Sequence, residues 1–184
     1  MHYKKLEGER IYLSPMTLDD VEDYTKWMND KRVTDNIHST SRMTSNVSER
    51  EWVEDIMKRG GHTFAIISKK DDKLIGNCGL MRTDYKDGVS TIGIFIGEED
   101  FRGKGLGTEV IDLLLDFGFN QLRLHNINLE VFDFNEPALA CYKKVGFKEY
   151  GRRHECYYLN GQWHDEILME ILEDDYKNTR VERV

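Results

Sequence analysis

The sequence predicts an α+β fold: a central mixed, mostly antiparallel β-sheet flanked by about four helices. Three observations predict it. "TFAIIS", "KLIGNCGL" and "STIGIFIG" are strand-like runs in succession, separated only by polar turns. "RGKGLG" leads directly into an apolar run with helical spacing. Near the end, two strand patterns are joined by Asn160-Gly161, a strong hairpin signal.

The elements follow in order. "ERIYLSPM" has the β-branched and aromatic character of a short strand. Thr17, with Asp20 three residues on, reads as a capping box for a helix that places Val21, Tyr24, Trp27 and Met28 on one face. "SERE", Ser48 to Glu51, reads as a second box. Its helix is expected to bury Trp52, Val53, Ile56 and Met57 and to stop at Gly60-Gly61. The three strands come next. After the glycine loop, Val110, Leu113, Leu114 and Phe117 mark one face of a helix reaching about residue 121. "INLEVFDF" is a further strand. Asn135 then caps a helix with Pro137 in its first turn and Gly146 at its end. The order is β-α-α-β-β-β-α-β-α-β-β. A single domain is expected over residues 8–172, with 173–184 as a solvated tail.

Composition narrows the function. The 184 residues carry 39% hydrophobic and 33% charged side chains, the balance of an ordinary folded protein. Lys and Arg number 26 against 34 Asp and Glu, a net charge of −8 that argues against nucleic acid as a partner. No apolar run nears the ~20 residues of a membrane span, and no secretory signal stands at the start. Cys78, Cys141 and Cys156 are scattered and odd in number, which suits a reducing cytoplasm. His154, Cys156 and His164 lack the close pair of a zinc site, so no metal is expected.

"RGKGLG" is the segment that asks for a ligand. It fits neither the G-x-x-x-x-G-K-[ST] loop nor the G-x-G-x-x-G fingerprint. What remains is a strand, an acidic turn and Gly103, Gly105 and Gly107 opening a helix, with Arg102 and Lys104 among them. Amides at a helix start converge on one point, the dipole favours an anion there, and glycines leave room for close approach. A flexible turn is the plainer reading.

This pattern, R-x-x-G-x-G at Arg102–Gly107, resembles the acyl-CoA diphosphate loop of the GNAT N-acetyltransferase superfamily. "LEVFDFNEPALACYKKVGF", roughly thirty residues on, resembles the strand–helix signature of the same family. The likeness spans residues 8–172 and is closest to the branch of ribosomal-protein and polyamine acetyltransferases. It implies acetyl-CoA as cofactor and direct attack by a primary amine in a ternary complex. Fold and cofactor motif do not fix the acceptor; a protein N-terminal α-amine is placed first, with polyamines and other small amines as the alternative. A non-catalytic acyl-CoA-binding module is the reading from a different class. The resemblance also implies backbone contacts to the cofactor from Phe95, Ile96 and Gly97. Its diphosphate would be held by Arg102, Gly103, Lys104, Gly105, Leu106, Gly107 and Thr108, and its pantetheine or adenine side by Asn135.

The chemistry needs a base for an amine of pKa ~10 and a proton donor for a leaving thiolate. Tyr142 matches the tyrosine before "KKVGF" and is the expected acid. Thr91 stands where many relatives carry a glutamate. Glu130, twelve residues before Tyr142, becomes the candidate base, and a base acting through water is the other route. A homodimer through the edge of the final hairpin is a further expectation, as is a cytoplasmic location.

Overall fold

The computed structural model describes residues 1–182. In chain order the elements are β1 (Leu6–Glu7), β2 (Ile11–Pro15), α1 (Val21–Met28), α2 (Lys31–Thr34), α3 (Asn46–Arg59), β3 (His62–Ser68), β4 (Lys73–Asp84) and β5 (Val89–Ile96). Then follow α4 (Leu106–Asp116), β6 (Asn126–Phe132), α5 (Glu136–Val145), β7 (Lys148–Leu159), β8 (Gln162–Leu172) and α6 (Glu173–Glu182). The strands hydrogen-bond in the order β1-β2-β3-β4-β5-β6-β8-β7. β5 and β6 run parallel from Val89↔Asn126 to Thr91↔Asn128, while β6–β8 and β7–β8 are antiparallel. The expected mixed sheet is present. Among the described residues, no helix is long and apolar enough to cross a membrane.

Two compact units divide the chain: Met1–Gly79 with Ile94–Leu113, and Leu80–Gly93 with Leu114–Val184. In the first, Tyr12, Tyr24, Trp27, Val53, Ala65 and Ile67 form the centre of the core. In the second, Ile127, Leu129, Met169 and Ile171 are at most 1% exposed, and Val131 and Ile167 lie beside them along β6 and β8. Alternate residues of each strand thus supply the buried face, the period-two pattern of a pleated sheet.

Several local expectations need correction. The capping box of α1 is present at Thr17 and Asp20, but it closes a 3₁₀ turn, Leu18–Asp20, ahead of the helix. The second box is built by Ser45 and Ser48, so α3 starts at Asn46. A serine at the third helical position can accept the N-cap N–H as a glutamate would, and the Ser45 amide lies 3.0 Å from the Ser48 hydroxyl. Along α3 only Glu49 and Val53 are fully buried; Trp52 is 41% exposed and Met57 is 50% exposed. Trp52 sits off the narrow buried stripe, with its ring edge-on to Tyr24. The described residues hold six α-helices rather than four, the additions being α2 and α6. The segment from 173, expected as a solvated tail, is helical to Glu182, with Tyr176 buried beside Phe119 and its hydroxyl 3.4 Å from Asp116. Three acidic residues in its first turn favour a helix start. Residues 183 and 184 lie outside the described residues. The Asn160-Gly161 turn has φ of 50° and 85°, the left-handed pair that a tight hairpin requires.

Candidate active site

In the first unit, β5 ends beneath the indole of Trp27. The Trp27 ring is 1% exposed, and its Nε1 donates to Glu98 at 3.1 Å. Lys26 and Lys73 also donate to the Glu98 carboxylate, at 3.0 and 2.5 Å. Burial alone would raise the pKa of Glu98, but these three hydrogen bonds and the Lys26 charge overcome it and hold the carboxyl at about 2. A cavity of about 230 Å³ opens here between Trp27, Asp30, Arg32, Gly97, Glu98 and Glu99. Where the strand stops, the carbonyls of Ile96 and Gly97 accept from Arg102 Nε at 2.8 Å and Nη2 at 2.5 Å. The Arg102 guanidinium is therefore turned inward to close the strand end. A trans peptide points each C=O opposite to the next N–H. The amides of Gly97 and Glu98 face away from Arg102 accordingly, and both donate to the Ile75 carbonyl, at 2.9 and 3.2 Å. The Gly97 N–H, expected to be available to a cofactor, is committed to the sheet.

The loop itself turns through two left-handed glycines, Gly103 with φ 70° and Gly105 with φ 75°. An L side chain at either is strained, which is why the segment spends glycine there. A Cβ on Gly103 would meet nothing within 4 Å, and one on Gly105 only the Arg10 guanidinium at 3.7 Å. α4 starts immediately, with Glu109 N donating to Gly105 O as its first turn closes. Leu106, Gly107 and Thr108 occupy the first three helical positions, whose amides have no acceptor within a helix. Outside the loop, Arg10 donates from Nη1 to Lys104 O at 2.8 Å and from Nη2 to Gly105 O at 3.2 Å. Its Nε bonds Glu109 Oε2 at 2.9 Å, and its own amide bonds Glu109 Oε1 at 2.7 Å.

The second unit carries the remaining candidates. The Asn135 side chain caps α5 by accepting from Ala138 N at 3.3 Å. Tyr142, two turns on, is 8% exposed with its ring edge-on to Phe147 at 5.8 Å. Burial, and secondarily Cys141, pushes its phenol well above the ordinary range. Glu130 lies on β6 and its carboxylate takes a hydrogen bond from Arg82 Nη2 at 3.1 Å. Thr91 donates to Asn128 Oδ1 at 2.8 Å, which ties β5 to β6 at the residue where an acidic side chain was sought. His154 pairs with Asp165 at 3.1 Å and His164 with Asp133 at 3.3 Å. Among the described residues, no group of three or more His, Cys, Asp or Glu side chains is arranged to hold a metal ion.

A family model described as the acetyltransferase (GNAT) domain matches residues 10–148. The chain belongs to the GNAT acetyltransferase family. This N-acetyltransferase is 28% identical to the uncharacterized N-acetyltransferase p20 of Bacillus licheniformis over 176 residues, which cover 93% of this chain and 97% of that one. It is 33% identical to the spermidine N(1)-acetyltransferase of Vibrio cholerae over 113 residues, 61% of this chain and 65% of the relative. Among solved structures, Vibrio cholerae spermidine N-acetyltransferase in complex with CoA and spermine matches with a TM-score of 0.84. That match has 24% identity and covers 93% of this chain and 100% of that chain. A GNAT-family acetyltransferase of Bacillus anthracis matches with a TM-score of 0.79 at 22% identity, covering 92% and 98%.

Acetyl-CoA is the cofactor of GNAT acetyltransferases, and this acetyltransferase has the donor set a diphosphate needs. The glycine loop offers main-chain N–H groups at a helix start, two residues without side chains in the turn, and open space where a Cβ on Gly103 would project. The sequence reading missed Arg10 and Glu109. Arg10 stands 94 residues before Lys104 in an ordinary-looking strand, and only the fold brings it to the loop.

Proposed function

We propose that this acetyltransferase, acting as one domain over residues 8–172, transfers an acetyl group from acetyl-CoA to a primary amine by direct attack in a ternary complex. The observation that carries the reading is the loop of Gly103 and Gly105, whose left-handed turns run into the start of α4. Bound acetyl-CoA supplies a thioester carbonyl open to a neutral amine. The amides of Gly105, Leu106 and Gly107 hold the diphosphate, with the Lys104 ammonium beside them. Arg102 fixes the end of β5 through Ile96 and Gly97, and Asn135 fixes the start of α5. The β5 segment at Phe95, Ile96 and Gly97 borders the pantetheine arm. Tyr142 keeps its proton through neutral pH because burial disfavours the phenolate, so it serves as donor to the departing sulfur. Glu130 takes the proton from the amine, held in place by Arg82.

For the acceptor we place a polyamine or related small amine ahead of the protein N-terminal α-amine. Supporting this order, Vibrio cholerae and Escherichia coli relatives are named as spermidine N(1)-acetyltransferases. β7 is an edge strand of the sheet, which supports pairing of two copies along it, and the cysteine pattern supports a cytoplasmic location. A screen of spermidine, spermine, amino acids and N-terminal peptides with acetyl-CoA, following thiol release, tests the reading. Turnover with polyamines is expected. Turnover with peptides alone would return the α-amine to first place, and none with any amine, despite CoA binding, would favour a binding module.

A further inference from the structure

We infer that Arg10 is the positioning residue of the diphosphate loop: its guanidinium holds the loop carbonyls on one side so that the loop amides are presented on the other. The inference rests on the acetyl-CoA reading above and adds to it a residue far away in sequence.

Peptide geometry carries the argument. Arg10 binds the carbonyls of Lys104 and Gly105 with two nitrogens of one planar fork, at 2.8 and 3.2 Å. In trans peptides the N–H groups of Gly105 and Leu106 must then point away from Arg10. The same rule is visible at the other arginine of this unit. Arg102 holds the carbonyls of Ile96 and Gly97, and the next two amides turn away from it to reach Ile75 O. There the sheet consumes the reversed amides. At Gly105 and Leu106 they stand at a helix start, where amides lack an intrahelical acceptor.

The fork is itself immobilised. The Glu109 carboxylate accepts from Arg10 Nε, Arg10 N and, at 3.3 Å, Ile11 N, while the Arg10 carbonyl accepts from Lys69 N at 2.9 Å. Gly8 leaves room beside it, since a Cβ there would stand 2.4 Å from Glu109 Oε1 and displace that carboxylate. A glycine turn has many conformations in the free chain, and an anion pays least to bind when one of them is already selected. Lysine, with one charged nitrogen, cannot span two carbonyls as a planar fork does.

The test measures CoA affinity by titration calorimetry, without turnover, on the full chain carrying Arg10→Ala, Arg10→Lys or Glu109→Gln, with thermal melts alongside. Arg10→Ala should weaken CoA binding roughly tenfold or more, the scale of charge-assisted hydrogen bonds. Arg10→Lys should recover only part of that. Glu109→Gln, whose single oxygen cannot accept from both Arg10 Nε and the Arg10 and Ile11 amides, should weaken binding in the same direction by a smaller factor than Arg10→Ala. In the acetylation assay KM for acetyl-CoA should rise with kcat little changed. Wild-type affinity in a folded Arg10→Ala variant overturns the inference. If that variant fails to fold, Arg10→Lys decides, because CoA affinity equal to wild type there also overturns it. Absence of CoA binding by the wild-type chain would instead remove the acetyl-CoA reading itself.

Discussion

The indole of Trp27 occupies the place a side chain on Gly97 would need: a Cβ there would stand 2.1 Å from Cδ2 and 2.3 Å from Cε2 of the ring. The Trp27 ring is 1% exposed and packs edge-on against Tyr24 and Phe95 at 5.6 and 6.0 Å, so shifting it disturbs the core. Gly97→Ala is therefore expected to destabilise the fold by ~2–4 kcal/mol, the range for overpacking a rigid core contact. Urea unfolding measures it. A change below ~0.5 kcal/mol would show that the contact yields easily.

Glu98 gives the first unit an acid-sensitive anchor. Its carboxyl is held at about 2, against an ordinary value of 4.5. The unfolded chain thus takes up this proton first as pH falls, so the stabilisation is complete above ~4.5 and fades between there and ~2. Glu98→Gln should cost ~1–2 kcal/mol at pH 6, with screening at the exposed lysines included, and less at pH 3. Equal losses at both pH values would remove the electrostatic explanation.

Gly103→Ala and Gly105→Ala separate strain from binding. Each forces a left-handed conformation on an L residue, at about 1–2 kcal/mol, yet a Cβ at 103 meets no protein atom within 4 Å. Both proteins should fold, with melting temperatures lowered by a few degrees. The CoA affinity of Gly103→Ala should fall at least about tenfold, since its methyl enters the space kept for the anion, and that of Gly105→Ala should fall less, through strain in the turn, since its methyl faces Arg10. Unaltered affinity in both would contradict that use of the space.

Tyr142→Phe removes a hydroxyl and leaves the ring against Phe147. A proton donor to the leaving group predicts a loss in kcat of about 10²-fold or more with CoA affinity within twofold. Because burial raises the phenol, the wild-type enzyme should show no loss of kcat from this group between pH 7 and 9. An unchanged kcat in the variant would return Tyr142 to a packing role.

Glu130→Gln keeps the size of the side chain and its hydrogen bond to Arg82 but removes the base. Steady-state kinetics should show a fall in kcat/KM for the amine of about 10²-fold with KM for acetyl-CoA unaltered. Activity near wild type would leave the proton to water.

The fold was legible where one local rule acted alone. The Asn160-Gly161 turn marked the β7–β8 hairpin, and the Asn135 cap and Gly146 bounded α5, because each signal spans only a few residues. The start of α3 was misplaced because Ser45 and Ser48 form a box without the expected glutamate. α6 was missed because the burial of Tyr176 depends on Phe119 and Asp116, far from it in sequence. That Gly103 and Gly105 make a turn was readable, since the φ demand of each is local. The direction of Arg102 and the contribution of Arg10 were not, because both depend on which carbonyls the folded chain leaves open. Likewise, that Glu130 is paired with Arg82 could not be read from its twelve-residue spacing to Tyr142.

Calorimetric titration of the wild-type chain with CoA, beside the Gly103→Ala/Gly105→Ala double variant, tests the central claim most directly. Saturable binding at one site per chain, weakened about 10²-fold or more in the folded double variant, is the predicted result. No heat with the wild-type chain, or equal affinity in the two proteins, would contradict the assignment of this loop to the diphosphate of acetyl-CoA.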